Sequence, residues 1–233
     1  MKEHIIVTMT SWTKRITNIP IVMSTLLNQT IMPNKIVLNL SIDEFKNKEK
    51  DLPLQVTNFL EENKELIYIN WLPGKNIRSW KKTLPTFNLF PNDVIINTDD
   101  DILYPNNFIE NLYVKHQKFP NNPITIPGWD YKGFHWHCGG GSLDMKKFYE
   151  NDIEKWLETD ITEYADEDSF MTFMAIRHGN PLILADPVKI ETYNSVEPLA
   201  NKDGFKAYIY ASQILNDCIE NYIPKKSYNF VKL

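Results

Sequence analysis

Cysteine is nearly absent. Cys138 and Cys218 are the only two in 233 residues. They lack zinc-type spacing and are too few for a disulfide framework, so reduced thiols in a cytosolic protein are expected. No stretch reaches the roughly 18 consecutive apolar residues of a membrane span. The apolar run from Ile5 is too short and too polar-flanked for a signal peptide. Positive charge is not in excess: 25 Lys and Arg face 30 Asp and Glu, a formal net charge of −5. That balance argues against general nucleic-acid binding through a basic face. It still allows an anionic ligand held by local cations or a metal. Repeats and low-complexity segments are missing too. What remains is an ordinary globular composition, 42% hydrophobic and 24% charged, enough for one large domain.

Short apolar runs bounded by turn signals read as buried strands. Four occur in the first half, at residues 4–9, 35–40, 67–72 and 94–98. Helices are expected between them at 17–28, 53–63 and 79–90. Thr17-Asn18 offers a cap for the first, with Pro20 in its opening turn. Pro85 inside the third predicts a kink or an early stop. The alternating order predicts an α/β fold, a mostly parallel sheet with helices on both faces. The second half is less regular. Helices are expected at 108–118, 144–151, 153–159, 168–179 and 206–222, and short strands at 124–127 and 182–185. Residues 131–142 read as a loop rich in aromatics, His and Gly. The tail 221–233 mixes Lys with Tyr, Phe and Val and reads as a packed tail, with a membrane-surface contact as the other reading.

The most informative stretch is Asp93 to Asn107, D-V-I-I-N-T-D-D-D-I-L-Y-P-N-N. A β-branched strand runs straight into Asp99, Asp100 and Asp101. In open α/β sheets ligands bind just beyond the carboxyl ends of the strands. Three carboxylates there repel one another strongly where water is scarce. A divalent cation relieves that cost, and clustered carboxylate oxygens suit Mg²⁺ or Mn²⁺, which also hold phosphates. A solvated acidic turn is the bland alternative.

Other features carry chemistry more weakly. Asp166-Glu167-Asp168 opens a helix, where acids are favoured by capping and the dipole; an acid there is also a candidate general base. Gly139-Gly140-Gly141-Ser142 follows Phe134-His135-Trp136-His137-Cys138, and its bare backbone would admit a sugar or phosphate closely. His135, His137 and His178 are candidates for a third metal ligand, against the commoner packing role. Lys75, Arg78, Lys81 and Lys82 read as a solvated helix face or as a phosphate site. Trp12, Trp80, Trp129 and Trp136 serve core packing or sugar stacking equally well.

Residues 81–85 and 91–105, with V-T-M-T-S-W-T-K-R-I, Gly139-Gly140-Gly141-Ser142-Leu143 and Ala165-Asp166-Glu167-Asp168, resemble bacterial glycosyltransferases of the GT-A fold (family 2-like, Asp-X-Asp type). The resemblance spans about residues 4 to 186. It implies one GT-A domain over 1–233, with a donor half to about 105 and an acceptor half with a C-terminal helix beyond. It implies a nucleoside-diphosphate sugar donor and Mn²⁺ or Mg²⁺ held by Asp99 and Asp101. Asp100 would lean toward the donor, with Thr8, Thr10, Arg15 and Lys82 also on the donor side. Trp136, Gly140, Gly141 and Asp166 would meet a carbohydrate or glycolipid acceptor. Asp168 would be the base of an inverting transfer, with Glu167 as the second choice. Surface glycan assembly (capsule or lipooligosaccharide) in the cytoplasm or at the inner face of its membrane is the implied setting. A nucleotidyl- or phosphotransferase and a silent carbohydrate-binding protein are the competing readings.

Overall fold

The computed structural model describes residues 3–128, 130–131, 134–135, 137, 140–149 and 166–194, with the backbone alone at 130–131 and 134–135. The expected helices at 153–159 and 206–222, the tail, Trp129, Trp136, both cysteines and Gly139 lie outside the described residues, as does the His135 side chain.

The described strands, in chain order, are β1 (Ile5–Thr10), β2 (Lys35–Ser41), β3 (Ile67–Leu72), β4 (Val94–Asn97), β5 (Ile102–Leu103), β6 (Ile124–Thr125), β7 (Asp130–Tyr131), β8 (Phe134–His135), β9 (Ser142–Asp144), β10 (Ile183–Leu184) and β11 (Glu191–Thr192). The described α-helices are α1 (Ile19–Leu26), α2 (Leu54–Glu62), α3 (Leu84–Leu89), α4 (Phe108–Lys118) and α5 (Glu167–Arg177). Seven strands form the main sheet in the order β10-β6-β9-β4-β1-β2-β3. The β4-β1-β2-β3 half is parallel throughout, whereas β9 runs antiparallel between β4 and β6.

The connection logic fixes where helices lie. The chain steps β1 to β2 to β3 in one direction, then returns to place β4 on the other side of β1. Right-handed crossovers put α1 and α2 on one face and α3 on the other after such a reversal. Covered on both sides, β1 and β4 carry apolar residues at successive positions, and Ile5, Ile6, Val7, Val94, Ile95 and Ile96 are all buried.

Three local expectations are corrected. Asn18 makes no capping hydrogen bond; a 3-10 turn at Ile16–Asn18 leads into α1, which frees the Asn18 side chain for the acids described below. The expected helix at 79–90 splits into a 3-10 turn, Arg78–Lys81, and α3. Pro85 sits in the first turn of α3, where a missing N–H costs nothing, so it starts the helix rather than kinking it. Residues expected as loop and helix around 142–144 instead form β9. Its Ser-Leu-Asp sequence has too little apolar character to read as a strand, and its polar side chains are satisfied inside the protein. Among the described residues, no helix is long and apolar enough to cross a membrane.

Candidate active site at the carboxyl ends of β1 and β4

The strand order reverses between β1 and β4, and at such a switch point the two flanking loops diverge and leave a crevice. Asp99, Asp100 and Asp101 follow the end of β4 there, and the Ser11–Arg15 loop follows β1. The three acids do not share one environment. Asp100 is sealed, its side chain 1% exposed, while Asp99 is 32% and Asp101 15% exposed. Asp100 Oδ2 accepts from Ser11 Oγ at 2.5 Å, and its Oδ1 lies 2.8 Å from Arg15 Nη2. Arg15 Nη1 donates to Asp101 Oδ2 at 2.6 Å. Asp99 Oδ1 accepts from Lys82 Nζ at 3.0 Å, and the Asp99 N–H donates to the buried Tyr104 hydroxyl at 2.8 Å.

Backbone contacts brace the triplet from outside. Asn18 Nδ2 donates to the Asp100 carbonyl at 3.2 Å, and the Tyr193 N–H donates to the Asp101 carbonyl at 2.6 Å. Asn194, in the left-handed region at φ 42°, clasps Asn18 with Nδ2 donating to its Oδ1 at 3.1 Å.

The helix α5 brings the second acidic group. Asp166 is its N-cap and accepts from the Ser169 N–H at 2.8 Å and the Ser169 hydroxyl at 2.6 Å. Glu167 is buried, with Oε1 accepting from the Thr83 N–H at 3.0 Å and Oε2 without a hydrogen-bond partner among the described residues. Asp168 is 31% exposed and lies 3.7 Å from Lys82 Nζ. Lys82 therefore stands between Asp99 and Asp168 and joins the end of β4 to the start of α5.

Charge and burial explain the titration behaviour. Burial pushes the Glu167 carboxyl up to about 8 against the pull of Lys82. Burial raises Asp168 to about 6, again opposed by Lys82 and reinforced by Asp99 and Asp166. It raises Asp100 to about 7 despite Arg15 and Ser11, and raises Asp101 likewise. Lys82 is pushed down by its own burial, but Asp168, Asp99 and Glu167 outweigh that and hold it well above its usual value. Carboxyl groups (Asp99, Asp100, Asp101, Asp166, Glu167 and Asp168) thus outnumber the cations Arg15 and Lys82 at this corner. Negative charge is in excess there, and protons meet part of it.

This excess fits a divalent cation, and the all-oxygen donor set of Asp99 and Asp101 suits Mg²⁺ or Mn²⁺. Among the described residues no group of three or more His, Cys, Asp or Glu side chains is arranged to hold a metal unaided. Waters and ligand phosphates complete such sites, as is usual for Mg²⁺.

The other expected site residues are placed as follows in the fold. Asp100, expected to lean toward the donor, is turned inward, because a desolvated carboxylate needs Ser11 and Arg15. Arg15 pairs with Asp100 and Asp101. Thr8 is fully buried; its hydroxyl donates to the Lys82 carbonyl at 2.5 Å, so it supports Lys82 from below. Thr10 donates to the Asn39 carbonyl at 2.8 Å. Lys75 and Arg78 are exposed, but Lys81 is buried against Glu44, so the four basic residues form no single face. Trp80 is core, its ring tilted against Phe170 at 4.9 Å between centroids. Gly140 and Gly141 lead into β9 beside β4. A Cβ on Gly141 would meet Phe108 Cε2 at 2.6 Å, which is a packing reason for glycine. His178 caps the far end of α5, ten residues and about 15 Å from Asp168 at 1.5 Å per residue, too far to join the acids. His137 is buried, with both ring nitrogens engaged. Sequence reasoning missed Ser11, Asn18, Asn97, Tyr104 and Asp144. None has a spacing signal; only the fold brings them here.

Glu167→Gln tests the burial argument. The folded state holds the Glu167 proton more tightly than the unfolded chain, whose carboxyl titrates near about 4.3. Stability from this group is therefore present below that value and is lost as pH rises toward about 8. The amide keeps the acceptor for Thr83 and cannot ionise. The variant should gain melting temperature relative to wild type between pH 5.5 and 8.5. Parallel melting curves across that range would refute a buried, reluctantly ionised Glu167.

No protein-family model matches the chain, and no curated protein matches it in sequence. Among solved structures it is similar to the mannosyltransferase PcManGT from Pyrobaculum calidifontis in complex with GDP-Man and Mn²⁺. The TM-score is 0.62 at 12% identity, over 91% of this chain and 65% of that one. It is also similar to S. aureus TarS, with a TM-score of 0.58 at 11% identity, over 97% of this chain and 41% of that one. The chain spans less than two thirds of the length of either. It thus has an α/β fold shared with a glycosyltransferase, built on a mostly parallel central sheet flanked by helices.

Proposed function

We propose that this chain is a metal-dependent glycosyltransferase that moves a sugar from a nucleoside-diphosphate sugar to a carbohydrate acceptor with inversion. The carrying observation is Lys82 Nζ between two half-open carboxylates, 3.0 Å from Asp99 and 3.7 Å from Asp168, at the switch point of the sheet. In this reading Asp99 and Asp101 hold Mn²⁺ or Mg²⁺, which supplies Lewis-acid stabilisation of the departing diphosphate. Lys82 meets the phosphate charge. Asp168 takes the proton of the acceptor hydroxyl as its oxygen attacks the anomeric carbon. The bond from that carbon to the diphosphate breaks on the opposite side, which inverts the centre. Glu167, buried and holding its proton, positions Thr83 instead of acting as base.

The likeness to a mannosyltransferase bound to GDP-Man and Mn²⁺ supports the donor side of this reading. We assign residues to about 105 to the donor half and later ones to the acceptor half. The resemblance in sequence extends the reading to bacterial surface glycan assembly, in the cytoplasm or at the inner face of its membrane.

A thermal-shift screen with UDP, GDP and CDP, with and without Mn²⁺, tests the donor site on wild type and Asp99→Asn. At a hundredfold excess over Kd a ligand of the native state stabilises by about 2.7 kcal/mol, worth about 5–10 °C in a chain of this size. One nucleotide should give such a shift only with both Mn²⁺ and Asp99 present. No shift with any of them would remove the nucleotide-sugar reading.

A further inference from the structure

Asp144 has no part in the chemistry proposed above, yet it is fully buried in the middle of the main sheet. Burying a carboxylate there is costly, and apolar residues of similar size usually serve as well. Its acceptor sites are filled. Oδ2 accepts from Asn97 Nδ2 at 2.7 Å and from Ser142 Oγ at 2.9 Å. Oδ1 accepts from the Tyr149 hydroxyl and lies 3.0 Å from His137 Nε2.

Two chains of hydrogen bonds lead from this carboxylate to the same turn of α5. Along the first, Asn97 Oδ1 accepts from Thr83 Oγ1 at 2.6 Å, and the Thr83 N–H donates to Glu167. Along the second, the His137 N–H donates to Thr172 Oγ1 at 2.8 Å, with His137 Nδ1 3.0 Å from the same oxygen. Thr172 Oγ1 in turn donates to the Asp168 carbonyl at 2.8 Å. Asn97 is two residues before Asp99. The loop of contacts therefore ties the strand that ends in the metal-binding acids to the helix that begins with the proposed base.

We infer that Asp144 and His137 are positioning residues, a buried polar relay that sets Asp99 and Asp168 in register across Lys82. The meaning of its two ends rests on the glycosyl-transfer reading; the coupling between them does not. A satisfied polar network of this kind specifies one arrangement where an apolar core would allow sliding.

Thr172→Val keeps size and shape and cuts the relay at its α5 end, and Thr172→Ser restores the hydroxyl. Asp144→Asn weakens it at the centre. Hydrogen–deuterium exchange read by mass spectrometry on the full chain gives the first readout. Loss of a buried hydrogen bond raises local opening roughly tenfold. In Thr172→Val and Asp144→Asn that rise should appear together at residues 97–104 and 166–172, with β2 and β3 unchanged, and Thr172→Ser should return both segments to wild-type rates. The second readout is cleavage of GDP-mannose with Mn²⁺. kcat should fall about tenfold with KM kept within roughly twofold, the mark of lost alignment rather than lost binding. Faster exchange confined to α5 in Thr172→Val would overturn the relay, as would wild-type rates in both variants. A wild-type protein inert toward GDP-mannose would exclude that one donor, and exchange would still decide the relay.

Discussion

Asp168→Asn is expected to give a folded protein that still binds nucleotide and Mn²⁺ but transfers sugar 10²- to 10⁴-fold more slowly, the usual span for a lost general base. The amide matches the carboxylate in size and cannot take a proton. It sits at the half-open end of α5, so little packing is disturbed. The pH profile separates this role from a structural one. Burial raises Asp168 to about 6, so wild-type activity should climb as pH passes through that region. The variant should lose that limb. Transfer assays from pH 5 to 8, with nucleotide binding measured in parallel, check both points. A residual rate within a few-fold of wild type would move the base elsewhere.

Lys82→Met should be the most destabilising single change in the site. It removes a buried ammonium that faces Asp99, Asp168 and Glu167. Breaking a buried ion pair typically costs 3–5 kcal/mol; about 3 kcal/mol is expected here, because two of the partners keep some water. The loss should depend on pH in a defined direction. Above pH 8 Glu167 and Asp168 ionise against one another with no cation between them. Near pH 5.5 Glu167 and Asp168 take up protons, and much of the stability returns. Chemical denaturation at both values checks this. A loss equal at pH 5.5 and pH 8 would mean that Lys82 contributes packing rather than charge.

The sequence showed the sheet better than it showed the site. The strands over 35–40, 67–72 and 94–98 are long, apolar and cleanly punctuated, and they appear within a residue or so of their expected bounds. The helix over 108–118 was legible for the same reason. β9 was not, because three residues hold no period and two of them are polar. Adjacency in sequence also misled at the acids. Asp99, Asp100 and Asp101 look equivalent in a row, but successive residues point in different directions, so Asp100 is sealed against Ser11 and Arg15, Asp101 is partly covered by Arg15, and Asp99 stays the most open. The split of Lys81 from Lys82, one facing Glu44 and the other the site, has the same cause.

The clasp between Asn18 and Asn194 joins residues 176 positions apart. During synthesis the parallel strands β1 to β4 can pair once residue 97 has emerged. The loop of acids then still lacks the Tyr193 N–H on the Asp101 carbonyl and the Asn194 amide on Asn18. The acidic corner is therefore completed only once residue 194 has emerged, after the sheet that carries it.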